Sequence, residues 1–224
     1  LDQEMVFSHV NEGDMNLGDA TTSAFTIFDE IGVDVSYLGR DFLKCCGHDQ
    51  KWQGLTEVFD KLKAYNQKKI QQSGIDTLVS SCAECFRTFA RDYELEDVKV
   101  MHTTEFLIEQ GFDMNLKVEE ETTVTYHDPC RLGRQMGIYE EPRELIQSVE
   151  GVSIVEMEHS GEDAMCCGVS SMMSCNENAR ALRVARMEEI KSTGADTMLT
   201  SCPKCVSHFE CLKFEGDERY ADIK

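Results

Sequence analysis

The chain has 224 residues, 41% hydrophobic and 29% charged, with three prolines, which is enough apolar material for one large or two small packed units and the wrong composition for a disordered segment. Its formal charge of −20 excludes the basic face that nucleic-acid binding requires and leaves an acidic solvated surface, or a basic redox partner, as what the charge serves. Apolar runs fall well short of the roughly 20 residues of a membrane span, no basic-then-apolar leader opens the chain, and it begins on Leu1 rather than methionine, so it is read as a fragment or a processed piece.

In chain order, no cysteine precedes Cys45. DFLKCCGHDQ (41–50) presents Cys45 and Cys46 followed by Gly47. GLTEVFDKLKAYNQKKIQQ (54–72) predicts a long helix and IDTLVSS (75–81) the strand after it. SSCAEC then sets Cys82 and Cys85 where another helix opens. The polar run DMNLKVEEET (113–122) separates two similar stretches of chain, and the boundary is placed near residue 117, giving halves 1–116 and 117–224. In the second half TTVTYHD (122–128) predicts a strand leading to Cys130, EPRELIQSV (141–149) a helix, and VSIVEM (152–157) a strand before MCCG with Cys166, Cys167 and Gly168. NENARALRVARMEEIKST (176–193) predicts a helix with Ala179, Leu182, Ala185 and Ile190 inward; ADTMLTS (195–201) is a strand; SCPKC opens a last helix at Cys202 and Cys205, with Pro203 suited to its first turn.

The two halves repeat one another. SGIDTLVSSCAEC matches TGADTMLTSCPKC with Cys82 and Cys202 120 positions apart, and the Cys-Cys-Gly runs stand 121 apart. Strand and helix alternate in both. The fold class is therefore α/β, two tandem pseudo-repeated βα units whose parallel sheets are flanked by helices.

Each cysteine motif is expected after a strand, and the carboxyl ends of parallel strands share one edge. Thiols far apart in sequence would meet there. A CxxC at a helix N-terminus gains from exposed amides that favour negative charge. Vicinal cysteines make poor disulfide partners, and their side chains point apart in extended backbone. A following glycine permits the turn that lets both reach one object. Cys130, Cys166, Cys167, Cys202 and Cys205 number one more than a tetrahedral zinc or an ordinary cubane cluster takes, so a polynuclear iron–sulfur cluster is the reading. Four-cysteine zinc stays open, chiefly for the first half, and a thioredoxin-like dithiol would leave the other cysteines unexplained. Cys175 and Cys211 fall outside the pattern and are read as buried or incidental.

HDPC, MCCG and SCPKC in the second half, with KCCG and SCAEC in the first, resemble the cysteine-rich CCG-domain family over nearly the whole chain. That family includes the catalytic polypeptides of heterodisulfide reductases, whose B-type and D-type members look most similar, and iron–sulfur subunits of glycolate, lactate and glycerol-3-phosphate oxidising complexes. The resemblance implies a noncubane [4Fe–4S] cluster held by Cys130, Cys166, Cys167, Cys202 and Cys205, which would also be the reacting site. The first half lacks the lone leading cysteine. Cys45, Cys46, Cys82 and Cys85 then imply an ordinary four-cysteine cluster, zinc, or nothing, with His9 or Glu12 as substitute ligands or plain surface residues.

What the resemblance implies for function is reduction of a disulfide such as CoM-S-S-CoB to two thiols in a cytoplasmic complex, peripheral to the membrane through a partner. The alternative is an electron-transfer subunit working with a flavin dehydrogenase. The chain carries neither a dinucleotide fingerprint nor a ferredoxin-type cysteine run. Electrons would come from a ferredoxin-like domain or subunit, with a flavin subunit or membrane cytochrome b behind it. His127 and His159 are candidates for moving protons, or structural histidines; Arg131 and Arg134 are candidates for pairing an anionic substrate, or surface ion pairs. Val169, Met172 and Met173 are read as a docking patch or as core.

Overall fold

A computed structural model describes residues 17–39, 41–111, 115–169, 176–216 and 218–224. His9, Glu12, Met172, Met173 and Cys175 lie outside them.

The first half opens with α1 (Leu17–Glu30) and a run over 33–38 that belongs to no helix or strand. The CCG motif leads directly into a short α2 (His48–Trp52), followed by α3 (Thr56–Ser73), which ends at Gly74 in the left-handed conformation (φ 71°). β1 (Thr77–Ser80), α4 (Ala83–Arg91), β2 (Lys99–His102) and α5 (Thr103–Glu109) complete it. β1 and β2 form a parallel pair in register Thr77↔Lys99 to Ser80↔His102.

The second half opens with β3 (Lys117–His127), then α6 (Gly133–Met136), α7 (Glu140–Gln147) and β4 (Glu150–Ile154). α8 (Glu177–Ser192), β5 (Thr197–Thr200) and α9 (Pro203–Phe214) come next. Three parallel strands stand in the order β4-β3-β5. β3 begins earlier than the sequence predicts, since the polar residues from Lys117 to Glu121 are part of it, with a register irregularity between Lys117 and Thr122. On the outer edge of β5, Lys224 donates its N–H to Asp196 O at 3.2 Å, as Lys99 does to Asp76 O at 2.7 Å beside β1. The repeat in sequence is a repeat in space.

The largest core cluster joins the halves. Ala83 and Phe86 of α4 pack with Leu132, Met187, Phe209 and Leu212 of the second half. At an upper estimate of about 25 cal/mol per Å² of apolar surface removed from water, this shared core holds the two sheets with their cysteine-bearing ends together.

Candidate metal centre

Both CxxC motifs sit as the sequence dictates. Cys82 and Cys202 are the N-caps of α4 and α9, in extended conformation, and Cys85 and Cys205 occupy the third helical position. Pro203 fills the first position of α9 at no cost, because its missing N–H would have no intrahelical partner. The backbone at Glu84 and Cys85 lies near the Cys82 sulfur and favours its thiolate, although Cys82 makes no side-chain capping bond.

The CCG turns also repeat. Gly47 and Gly168 have φ of 82° and 90°, and each donates its N–H to the first cysteine of its pair, at 3.5 Å to Cys45 Sγ and 3.4 Å to Cys166 Sγ. A side chain at Gly168 would also come within 2.5 Å of the Ala179 carbonyl oxygen. Neither pair follows a strand directly. Cys45 and Cys46 follow unpaired chain, and a loop with a single 3₁₀ turn (Gly161–Asp163) stands between β4 and Cys166. The loop's shape comes from side chains: Arg143 grips Asp128 through two 2.8 Å bonds, Asp128 takes the Gly161 N–H at 2.8 Å, and Arg134 donates to the carbonyls of Glu162 and Ala164.

None of the described cysteines is joined in a disulfide, and eight of them make one continuous run. Cys85 Sγ lies 3.2 Å from Cys46 Sγ, with Cys45 and Cys82 close enough to act on the thiols of Cys46 and Cys85. Cys82 meets Cys202 across the seam between halves; Cys202 stands next to Cys205, Cys205 next to Cys167, and Cys167 next to Cys166, each close enough to act on the other's thiol. Cys130 stands beside that end, close enough for charge on Cys166 and Cys167 to act on it. Sulfurs that accept are held well below the ordinary thiol range: Cys46 by Cys45 and Cys85, Cys82 by Cys202 and Cys85, Cys167 by Cys166 and Cys205. Their donors Cys85 and Cys205 are held above it for the same reason. Clustered, unbridged thiols, four of them buried, fit the donor set of an iron–sulfur cluster, which takes sulfur as thiolate.

The meeting of the two sets was not legible in either motif. Glu84 and Lys204 hold corresponding positions in the two repeats and pair with each other at 3.0 Å; Lys204 also binds Asp49. Burial presses Lys204 down, but the carboxylates of Glu84 and Asp49 more than offset it and keep it charged. Burial raises Glu84, and the Lys204 ammonium beside it pulls it back toward the carboxylate. His48 bonds Thr88 at 3.0 Å through Nδ1 and stands 3.5 Å from Glu84 through Nε2. A cavity of about 860 Å³ opens on Cys45, Cys46, Cys82 and Cys85, with Phe28 and Phe106 among its apolar walls.

The Arg131 guanidinium stacks over Trp52 at 3.9 Å, tying the residue after Cys130 to the helix after the first CCG. Val169 is 8% exposed and belongs to the core. Cys211 lies half-buried on α9. His127 is buried, with a ring nitrogen, Cys167 Sγ and Cys205 Sγ all within 4.8 Å of one another. His159 lies at the surface and pairs with Glu189 at 3.0 Å.

The inward face of α8 differs from its apolar spacing. Leu182 and Ala185 are exposed, while Arg183 and Arg186 are buried together with Ala179, Met187 and Ile190. The arginines back the second CCG turn, with the Arg183 stem against Gly168. Nε and Nη1 of Arg183 have no hydrogen-bond partner among the described residues. Buried cations with spare donors beside thiolates suit a centre that carries negative charge.

Among the described residues no helix is long and apolar enough to cross a membrane. The profile of the CCG cysteine-rich domain matches residues 15–90 and 124–210. A subunit of the dihydromethanophenazine:CoB–CoM heterodisulfide reductase of Methanosarcina acetivorans is 34% identical over 80% of this chain and 46% of its own length. A subunit of the fumarate reductase (CoM/CoB) of Methanothermobacter marburgensis is 31% identical over 91% of this chain and 41% of its own. The EtfAB:quinone oxidoreductase of Syntrophomonas wolfei is 27% identical over 81% of this chain and 27% of its own. The chain thus spans less than half the length of each of these relatives.

Proposed function

The chain belongs to the CCG cysteine-rich domain family and is an iron–sulfur oxidoreductase module, and on that premise we propose that it reduces a small disulfide to two thiols inside a larger complex. The observation that carries this reading is the run of unbridged sulfurs through both halves, meeting at Cys82 and Cys202. Cys130, Cys166, Cys167, Cys202 and Cys205 are the thiolates for a noncubane [4Fe–4S] cluster, with the backbone turn at Gly168 letting Cys166 and Cys167 serve together. Cys45, Cys46, Cys82 and Cys85 are the ligands of a second cluster or of zinc. When bound, an iron–sulfur cluster supplies electrons singly and offers iron to a substrate sulfur. The balance is one disulfide, two electrons and two protons giving two thiols, the electrons coming from a ferredoxin-like domain or subunit, with a flavin subunit or a membrane cytochrome b behind it.

The chain's own part is to hold, orient and exclude water. Cys202, Cys205 and Cys167 are 2–3% exposed, while Cys130 and Cys166 are both more open, so access to this end is past those two. The cavity of the first half opens on Cys45, Cys46, Cys82 and Cys85 and not on the five cysteines assigned to the reacting cluster, so a small disulfide reaches that cluster from its own end. Unbridged thiols persist in a reducing compartment, which supports the cytoplasm as the setting.

A second reading, an electron-transfer subunit working with a flavoprotein, draws support from the likeness to EtfAB:quinone oxidoreductase. Anaerobically purified chain should contain iron and acid-labile sulfide, about four irons for the second set alone. It should also turn over a disulfide with reduced viologen, and Cys130→Ser should lose that turnover while melting close to the parent. Zinc without sulfide at the second set overturns the cluster reading. Full iron with no disulfide turnover favours the second reading, and full turnover in Cys130→Ser shows that the reacting half is misassigned.

A further inference from the structure

His127 is 1% exposed on the last residue of β3, and its surroundings fix it on every side. Phe209 meets the ring edge-on, with centroids 5.0 Å apart and planes at 90°. Arg186 donates from Nε to His127 Nδ1 at 3.1 Å. An arginine is always a donor and never an acceptor, so Nδ1 of that ring carries no hydrogen. The ring hydrogen is therefore on Nε2, the nitrogen left to face the sulfurs, and the His127 ring stands within 4.8 Å of Cys167 Sγ and Cys205 Sγ. Arg186 is itself pinned. It is fully buried, and its Nη1 donates to His159 O at 2.7 Å and to Glu189 Oε2 at 2.6 Å. Glu189 in turn binds His159 Nδ1 at 3.0 Å. The line from the surface to the sulfur is His159, Glu189, Arg186, His127, Cys167.

We propose that Arg186 locks His127 in the Nε2–H tautomer as a permanent hydrogen-bond donor to the Cys167 thiolate, and that this bond raises the reduction potential of the cluster Cys167 holds. His127 is a tuning residue and Arg186 a positioning residue behind it. The physical reason is general: an N–H aimed at a cluster sulfur stabilises the more negative, reduced state, and the group behind a histidine decides which nitrogen carries the proton. The Glu189 carboxylate answers the charge of Arg186, so the guanidinium can remain buried beside the site. No proton need travel along the line; its atoms are held so that the ring cannot turn.

The inference rests on the iron–sulfur reading above. The test uses the full iron-loaded chain with ¹⁵N-labelled histidine, reduced and measured by pulsed electron–nuclear double resonance. The expected result is one weak histidine coupling, absent in His127→Leu. In a redox titration His127→Leu should shift to a more negative potential, Arg186→Gln should shift the same way, and His127→Gln, which keeps an N–H donor, should recover part of the shift. A coupling of the strength of an iron-bound nitrogen would overturn the proposal by making His127 a ligand. Full iron with no histidine coupling in the parent would overturn it as well, a result that needs no variant to fold. An unmoved potential in iron-replete His127→Leu would do the same. Absence of iron and sulfide overturns the iron–sulfur reading and this inference with it.

Discussion

His102 shows how much one side chain at the end of a strand controls. It closes β2 and caps α5, with its ring accepting the Thr104 N–H while Glu105 reaches back to the His102 amide. It is 1% exposed, and burial pushes its imidazole down to about 4. In the unfolded chain the ring titrates near its ordinary value of about 6.5. Above that pH both states hold it neutral and it has no effect on stability. Between about 6.5 and 4 the unfolded state takes up a proton that the folded state refuses, so stability falls as pH falls, by a few kcal/mol in all on an order-of-magnitude basis. Urea unfolding between pH 7 and 4.5 should give a steeper loss in the parent than in His102→Asn, which keeps a capping oxygen and removes the titration. Equal slopes would mean that the ring is protonated in the folded chain.

Among the elements, α8 has an inward face that neither apolar counting nor helical periodicity finds. The spacing of Ala179, Leu182, Ala185 and Ile190 selects one face, but the helix turns Arg183, Arg186 and Met187 inward because the second CCG turn and His127 stand there. Leu182→Gln should therefore change stability by no more than about 0.5 kcal/mol, while Met187→Ala, at a 1% exposed position, should cost about 2–5 kcal/mol. Denaturant midpoints of the two variants decide between the faces. The CxxC helices were legible for the opposite reason. A strand, a capping position and a proline in the first turn are local features, and local chemistry fixes them. The glycine turns were legible too, since the Cys-Cys-Gly order admits few other backbones. The first half departs where tertiary context rules. Its 33–38 run stays out of the sheet, and β2 and α5 stand beyond the alternation that the repeat suggested.

Across the whole molecule the halves share one core and one buried charge pair. Glu84 and Lys204 lie at matched places near the start of α4 and α9, beside the Cys82–Cys202 contact. Removing one partner leaves an uncompensated charge in the seam. Lys204→Met and Glu84→Leu should each cost about 3–5 kcal/mol, and the double variant much less than their sum. Additive losses in chemical denaturation would show that the two side chains do not act as a pair. The strongly acidic exterior makes nonspecific self-association costly, so a partner subunit would dock on a limited, less acidic surface. In the seam itself the chain tells its own twin from itself. Two first halves placed face to face would bring one buried glutamate against another, and two second halves would bring lysine against lysine. Only the unlike pairing neutralises. Opposite charges at matched positions thus favour the pairing of unlike halves over like ones within a single polypeptide.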